Sequence, residues 1–261
     1  MKPNDLQLLA DVQGSPDSRH LPIQKVGVRR LRHPMRWQAK GQAQPTIGEF
    51  TFAVELPATK KGTHMSRFVT LLNQHDAPWS VADAPRMGKL LCETLEAERA
   101  FFEVQFALFV NKAAPVSGVS SLLDYQVTMR CESTHHDAHV TLVVQVPVTS
   151  LCPCSKEISA YGAHNQRSHI TITANVSADV LAEDIIATVE AQASSELYGV
   201  LKRPDEKFVT ERAYDNPKFV EDLVRDVALA LKKLPGLAQV TVEAENFESI
   251  HNHSAYATLS L

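Results

Sequence analysis

The sequence predicts an α+β fold made of two tandem modules, each an antiparallel four-stranded sheet with a helix pair on one face. Three observations predict it. Eight stretches alternate apolar and polar residues with the period of a half-buried strand, four others repeat their apolar residues with the helical period, and the two kinds follow one another as ββααββ twice over. The chain has 261 residues, 44% of them hydrophobic and 21% charged, enough for two modules and for a sizeable core.

Residues 1–20 read as a polar lead-in. The first module, 21–134, opens with strand patterns at 23–31 and 49–56, continues with helical patterns at 65–75 and 84–98, and closes with strands at 101–112 and 122–132. The second, 135–261, repeats the order with strands at 138–148 and 168–176, helices at 181–194 and 217–231, and strands at 238–247 and 255–261. Segment 199–216, GVLKRPDEKFVTERAYDN, has no clear periodicity and reads as a long connection; connections of that length inside a compact domain are usually functional or disordered. Four-stranded sheets leave open edges, which pairing with another copy would satisfy, so a symmetric homo-oligomer is expected.

Charge excludes some partners. Lys and Arg total 26 against 30 Asp and Glu, a net charge of −4 that advertises no nucleic-acid partner. The N-terminus lacks the apolar run of a signal peptide and no segment has the length of a membrane span, so a cytoplasmic protein with no membrane partner is expected. Four cysteines are too few for a disulfide framework in a chain this long, which leaves them free for thiol chemistry or metal binding.

Three segments could carry chemistry. In 150–170, SLCPCSKEISAYGAHNQRSHI, Pro153 suits the first position of a helix, making Cys152 its cap and placing Cys154 in the first turn, where the helix dipole favours a thiolate. The bland alternative, two small core residues, loses weight because His164 and His169 follow in a polar stretch. Cys152 and His164 suit zinc or a related ion; a third donor would come from the acids of the long segment or from the last histidines. In 248–253, ESIHNH, an extended backbone would put His251 and His253 on one side, a pair suited to proton transfer, although an exposed polar hairpin would look the same. In 57–68, Lys60, Lys61, His64 and Arg67 surround a Gly at a strand-to-helix junction; that reads as a phosphate site or as a solvated basic turn, and the P-loop spacing is absent.

CPCSKEISAYGAHNQRSH at 152–169, KGTHMSRF at 61–68, NPKFVEDLVRDVA at 216–228 and ESIHNHSA at 248–255 together resemble the prokaryotic type IB GTP cyclohydrolase I family, from about residue 20 to the end. The resemblance implies a tunnelling fold, with two modules per chain assembling into barrels across subunits, usually as a homotetramer with sites between subunits. It implies conversion of GTP and water to 7,8-dihydroneopterin triphosphate and formate, the first step of folate biosynthesis. It places a metal on Cys152, His164 and Glu206, a mixed donor set expected to take Zn²⁺, Mn²⁺ or Fe²⁺, and the guanine anchor on Glu221. Cys154, Glu248, His251 and His253 are then the acid–base groups, and Lys61, His64, Arg67, Lys156 and Arg167 the candidates for the triphosphate. An archaeal relative forming a cyclic-phosphate pterin, or a non-catalytic purine or metal sensor, would share part of this set.

Overall fold

The computed structural model describes residues 11–261, so the first ten residues of the expected lead-in lie outside the described residues. In chain order the elements are β1 (Ile23–Gln38), β2 (Ala43–Leu56), α1 (Met65–Asn73), α2 (Ala84–Leu95), β3 (Arg99–Ala113), β4 (Ser120–Thr134) and β5 (Ala138–Leu151). Then follow α3 (Pro153–Ile158), β6 (Asn165–Val176), α4 (Ala182–Glu190), β7 (Ser195–Glu196), α5 (Arg203–Asp215), α6 (Val220–Leu231), β8 (Leu237–Asn246) and β9 (Ala255–Ser260).

The tunnelling fold of two tandem ββααββ modules is not what the chain forms. All strands among the described residues belong to a single antiparallel nine-stranded sheet, ordered β1-β2-β3-β4-β5-β6-β8-β9, with the two-residue β7 paired to β5. The physical cause lies in the β4–β5 hairpin. Its ladder runs from Gln126↔Gln145 to Ser133↔Ala138 across the expected division at 134/135, so the halves share backbone hydrogen bonds instead of keeping separate sheets. The second half also departs from the expected order, because α3 separates β5 from β6 and β7 and α5 stand between α4 and α6. Helix α5 occupies the segment read as a connection. It buries only Asp205 and Ala213, so no apolar stripe marked it in the sequence.

Helices cover one face of the sheet, α1 and α2 over the strands of the first half and α4 and α6 over β5, β8 and β9. The alternation that predicts the strands is the cause: Phe50, Phe52, Phe102, Val104 and Met129 point to the covered face in the first half, Leu142, Val144, Ile170, Ile172 and Val242 in the second, all buried in one continuous core. Each such side chain contributes about 1.5–3 kcal/mol on leaving water.

Pairing Arg99 with Thr134 and Ala113 with Ser120 fixes the two ends of the sheet. One end gathers the β3–β4 turn, the last residues of β5 and β8 and the first residues of β6 and β9. The opposite end gathers the close of β2, the start of β3 and the β4–β5 turn. A 15-residue strand separates them by roughly 50 Å, at about 3.3 Å per residue.

Gly88 lets α2 sit close to β4, since a Cβ there would lie 1.8 Å from Ser133 Oγ and 2.6 Å from Ser133 Cβ. Gly88→Ala should therefore destabilise the chain by about 1–3 kcal/mol, read as a lower urea midpoint at unchanged slope. A midpoint equal to wild type would show that α2 does not pack on β4 this closely.

Candidate functional site

The first of the two ends carries the candidate site, and the β5–β6 ladder builds it. The register runs to Ser150↔Gln166 and Leu151↔Asn165. One residue further, the Cys152 N–H donates to the His164 carbonyl at 3.1 Å, which sets Cys152 opposite His164. Directly opposed residues of an antiparallel pair carry their Cβ atoms about 5 Å apart on one side.

Pro153 then starts α3, and Cys152 is its N-cap, as the CPC spacing predicts. The Cys152 thiol accepts the Ser155 N–H at 3.4 Å. Ser155 Oγ donates to the Cys152 carbonyl at 3.2 Å and accepts the His164 N–H at 3.2 Å, so one hydroxyl ties both residues to the turn. His164 Nδ1 lies 3.0 Å from Gln166 Oε1, and Gln166 is buried. An amide oxygen only accepts, so Nδ1 carries the proton and the lone pair is left on Nε2. Cys154 is exposed in the first turn.

The β6–β8 ladder brings the histidine pair to the same end. Ser168 pairs with Asn246, their side chains bond at 2.7 Å, and Ser150 Oγ lies 2.7 Å from the same Ser168 hydroxyl, forming a buried polar row under the site. The Phe247 N–H donates to the Arg167 carbonyl at 3.0 Å, which opens the loop 247–254 above β6. That loop is bent, not extended as the alternation argument assumed, yet His251 and His253 still face one another, their rings stacked 5.0 Å apart. Glu248 is half-buried there, and Ser249 Oγ stands 3.4 Å from His164 Nδ1, which joins the two motifs.

Two helices border the cluster. Lys156 of α3 reaches the Tyr214 carbonyl of α5 and lies over the Tyr214 ring at 4.3 Å. The Lys218 N–H donates to the Leu151 carbonyl at 3.1 Å, seating the start of α6, with exposed Glu221 in its first turn, beside the end of β5. Glu206 is exposed in the first turn of α5. Its neighbour Asp205 is fully buried, its carboxylate accepting the Val116 N–H (2.8 Å), the Ser117 N–H (2.7 Å), the Ser117 hydroxyl (2.6 Å) and the Lys202 N–H (2.8 Å). Burial alone would raise the Asp205 pKa, but these hydrogen bonds outweigh it and hold the carboxyl well below the usual range. Glu211 is paired with Lys207 at 2.6 Å. Of the three acids around Pro204 and Thr210, Glu206 is thus the one with a carboxylate not taken up by such contacts.

The structure does not gather every candidate. Among the described residues no three His, Cys, Asp or Glu side chains stand close enough to share an ion, so Cys152, His164 and Glu206 are not gathered around one point. Lys156 and Arg167 lie at the end of the sheet that carries Cys152. Lys61, His64 and Arg67 lie at the opposite end, past the close of β2, where Arg67 meets the Thr94 carbonyl at 3.0 Å and His64 meets Asp11 at 3.1 Å. A cavity of about 540 Å³ is elsewhere again, on the uncovered face of β1–β4, where Arg130 pairs with Glu103 at 2.7 Å and Lys25 with Glu132 at 3.6 Å, beside Arg29, Arg30 and Glu49. Sequence reasoning missed Ser155, Gln166 and Ser249, and took Asp205 only as one of the acids that could supply a third donor. Of these only Gln166, two residues after His164 on the same strand, left a readable signal.

Comparison with known proteins follows the same motifs. A family model described as type I GTP cyclohydrolase folE2 matches residues 9–257. The protein named GTP cyclohydrolase FolE2 of Paraburkholderia xenovorans (strain LB400) is 57% identical over 257 residues, covering 98% of this chain and 96% of its own. Its namesake from Bordetella pertussis (strain Tohama I) is 58% identical over 254 residues, covering 97% and 96%. Among solved structures, a uricase from Bacillus fastidious superposes with a TM-score of 0.51 over 92% of this chain and 93% of its own; at 10% identity that likeness concerns the fold alone.

The four thiols should differ sharply in reactivity. Cys92 and Cys131 are buried, and burial pushes both thiols above their ordinary pKa. Iodoacetamide should label Cys154 first in the native chain and reach Cys92 and Cys131 only after unfolding, as read by peptide mass mapping. Early labelling of Cys131 would mean that α2 does not cover β4.

Proposed function

The chain belongs to the type I GTP cyclohydrolase FolE2 family, and from that premise we propose which of its residues open the guanine ring of GTP. The activity is that of GTP cyclohydrolase I in folate biosynthesis, in which GTP and water give 7,8-dihydroneopterin triphosphate and formate. One observation carries the assignment of residues: the CPC, HNQRSH and HNH segments, far apart in sequence, meet at one end of the sheet through the β5–β6 and β6–β8 ladders.

The donor types suit a divalent ion, although Cys152, His164 and Glu206 are not gathered around one point in this structure. A thiol and an imidazole with a free Nε2 stand opposite one another, and Glu206 is the acid of α5 left available as a third donor. Such a set, one soft, one borderline and one hard, suits Zn²⁺, Mn²⁺ or Fe²⁺. When bound, the ion supplies Lewis acidity, lowering the cost of generating hydroxide from water at neutral pH. The chain's own groups do the rest. Guanine C8 is a poor electrophile until N7 is protonated, and His251 or His253 would deliver that proton. Glu248 and Cys154 serve the later proton transfers, as the ring opens, formate leaves and the ribose rearranges to condense with the freed amine. Glu221 accepts the guanine N1–H and 2-amino group together, a pattern that one carboxylate matches.

We place the site between copies of the chain, in a homo-oligomer that we take to be a tetramer, located in the cytoplasm. Exposed apolar side chains surround it, among them Ile158, Tyr161, Phe208, Phe219, Phe247 and Ile250, and a ring of this kind around polar groups suits a subunit interface. A second copy would also bring its Lys61, His64 and Arg67 to the triphosphate beside Lys156 and Arg167. Among the described residues no helix is long and apolar enough to cross a membrane.

Incubation with GTP and Mn²⁺ should release formate and, after oxidation, fluorescent pterin; neither product with Mn²⁺, Fe²⁺ or Zn²⁺ would end this reading. Cys152→Ala should lose both bound metal and turnover, whereas Cys154→Ala should lose turnover and keep its metal, as elemental analysis would show. Glu221→Gln should weaken binding of a non-hydrolysed GTP analogue by about 1.5–3 kcal/mol, because the amide repels one of the two guanine donors. An unchanged affinity would remove Glu221 as the anchor.

A further inference from the structure

Helix α5 has almost no apolar attachment. Its buried residues are Asp205 and Ala213, and Phe208 and Tyr214 are both exposed. Most helices of a protein are held by an apolar stripe. This one is held instead by polar anchors at its two ends. At the start, Asp205 takes four hydrogen bonds, three of them from Val116 and Ser117 in the β3–β4 turn, so the first turn of α5 is tied to the end of the sheet. Towards its close, Arg212 meets Glu196 at 3.4 Å. Glu196 in turn meets the buried Lys112 of β3 at 2.9 Å, and Lys112 also meets the buried Glu190, the last residue of α4, at 2.7 Å.

We infer that Asp205 is a positioning residue for Glu206: its buried, fully bonded carboxylate fixes the first turn of α5 against the β3–β4 turn and so fixes the direction in which the adjacent Glu206 is presented. The inference rests on the reading of Glu206 as the third metal donor. Asp205 itself is excluded as a ligand, because its four acceptor positions are filled from within the chain. A free-standing Glu on a loosely held polar helix would have to be ordered each time an ion bound; the anchor removes the backbone part of that cost beforehand and leaves only the Glu206 side chain to turn to the ion.

The test is a double-mutant cycle on the full-length, metal-free protein, with Co²⁺ as the probe and its absorption spectrum and chelator-competition affinity as the readouts. Circular dichroism and thermal unfolding confirm folding of each variant. Asp205→Asn keeps the shape but turns an amide N–H₂ toward donors; it should weaken Co²⁺ binding on the order of 10–100-fold, the range typical of groups that orient metal ligands. In the Glu206→Gln background the same change should add nothing, since Asp205 acts through Glu206. Ser117→Ala, which removes only the 2.6 Å hydroxyl bond, should give a smaller loss of the same kind and serves if Asp205→Asn does not fold. Wild-type affinity in the folded Asp205 variant, or in Ser117→Ala where the Asp205 variant does not fold, would overturn the inference, as would losses that simply add in the double variant. If Glu206→Gln itself binds Co²⁺ like wild type, the ligand assignment falls and the inference with it. If Glu206→Gln weakens binding and Asp205→Asn does not, the inference alone falls.

Discussion

The register of β5 on β6 is the constraint on which the rest depends. Pairing Leu151 with Asn165 makes Cys152 the partner of His164, and a slip of one residue would turn every side chain of one strand to the other face. The apolar side chains enforce that register. Val144, Val146 and Val148 of β5 and Ile170 and Ile172 of β6 are completely buried on the helix-covered face, and a slip would expose them. The chemistry at the end of the ladder is thus positioned by hydrophobic burial along its length. The polar row of Ser150, Ser168 and Asn246 closes the buried face just below the site and ties β8, with its histidine loop, to the same frame.

A second consequence is that the site stands on strand ends while its border is held by polar contacts. Cys152 and His164 are bound backbone to backbone and share Ser155. The His251–His253 loop is attached through Phe247 and Ser249, and α5 through Asp205 and Arg212. GTP is large and charged, and its conversion passes through ring opening and reclosure. Strand ends on one side and polar anchors on the other keep the site's groups in fixed relation through such a sequence of steps.

Much of this was legible in the amino-acid sequence, and the rest was not for identifiable reasons. Strands with a clean period of two, such as 101–112 and 138–148, lie within β3 and β5, and the cap at Cys152 was readable from Pro153. The fusion of two expected sheets into one was not readable, because whether β4 pairs with β5 depends on where the chain goes after Thr134, and the residues of the turn do not announce it. Helix α5 escaped because its attachments are hydrogen bonds and ion pairs, which leave no hydrophobic period. The role of Asp205 escaped for the same reason: a buried, saturated carboxylate and a free one look alike in sequence. The bend of 247–254 was hidden behind an alternation of histidines that suggested a strand.

The separation of Lys61, His64 and Arg67 from Cys152 by the length of the sheet turns the account into a claim about assembly: one copy supplies the thiol, the imidazoles and α5, and another supplies the cations of the α1 junction. The direct measurement is complementation between Cys152→Ala and a Lys61, His64 and Arg67 triple alanine variant, each inactive alone, with mixed oligomers confirmed by native mass spectrometry. The account predicts that mixed oligomers regain part of the GTP-dependent formate release, because some of their interfaces join an intact half-site from each parent. Mixed oligomers that form and stay inactive would contradict it.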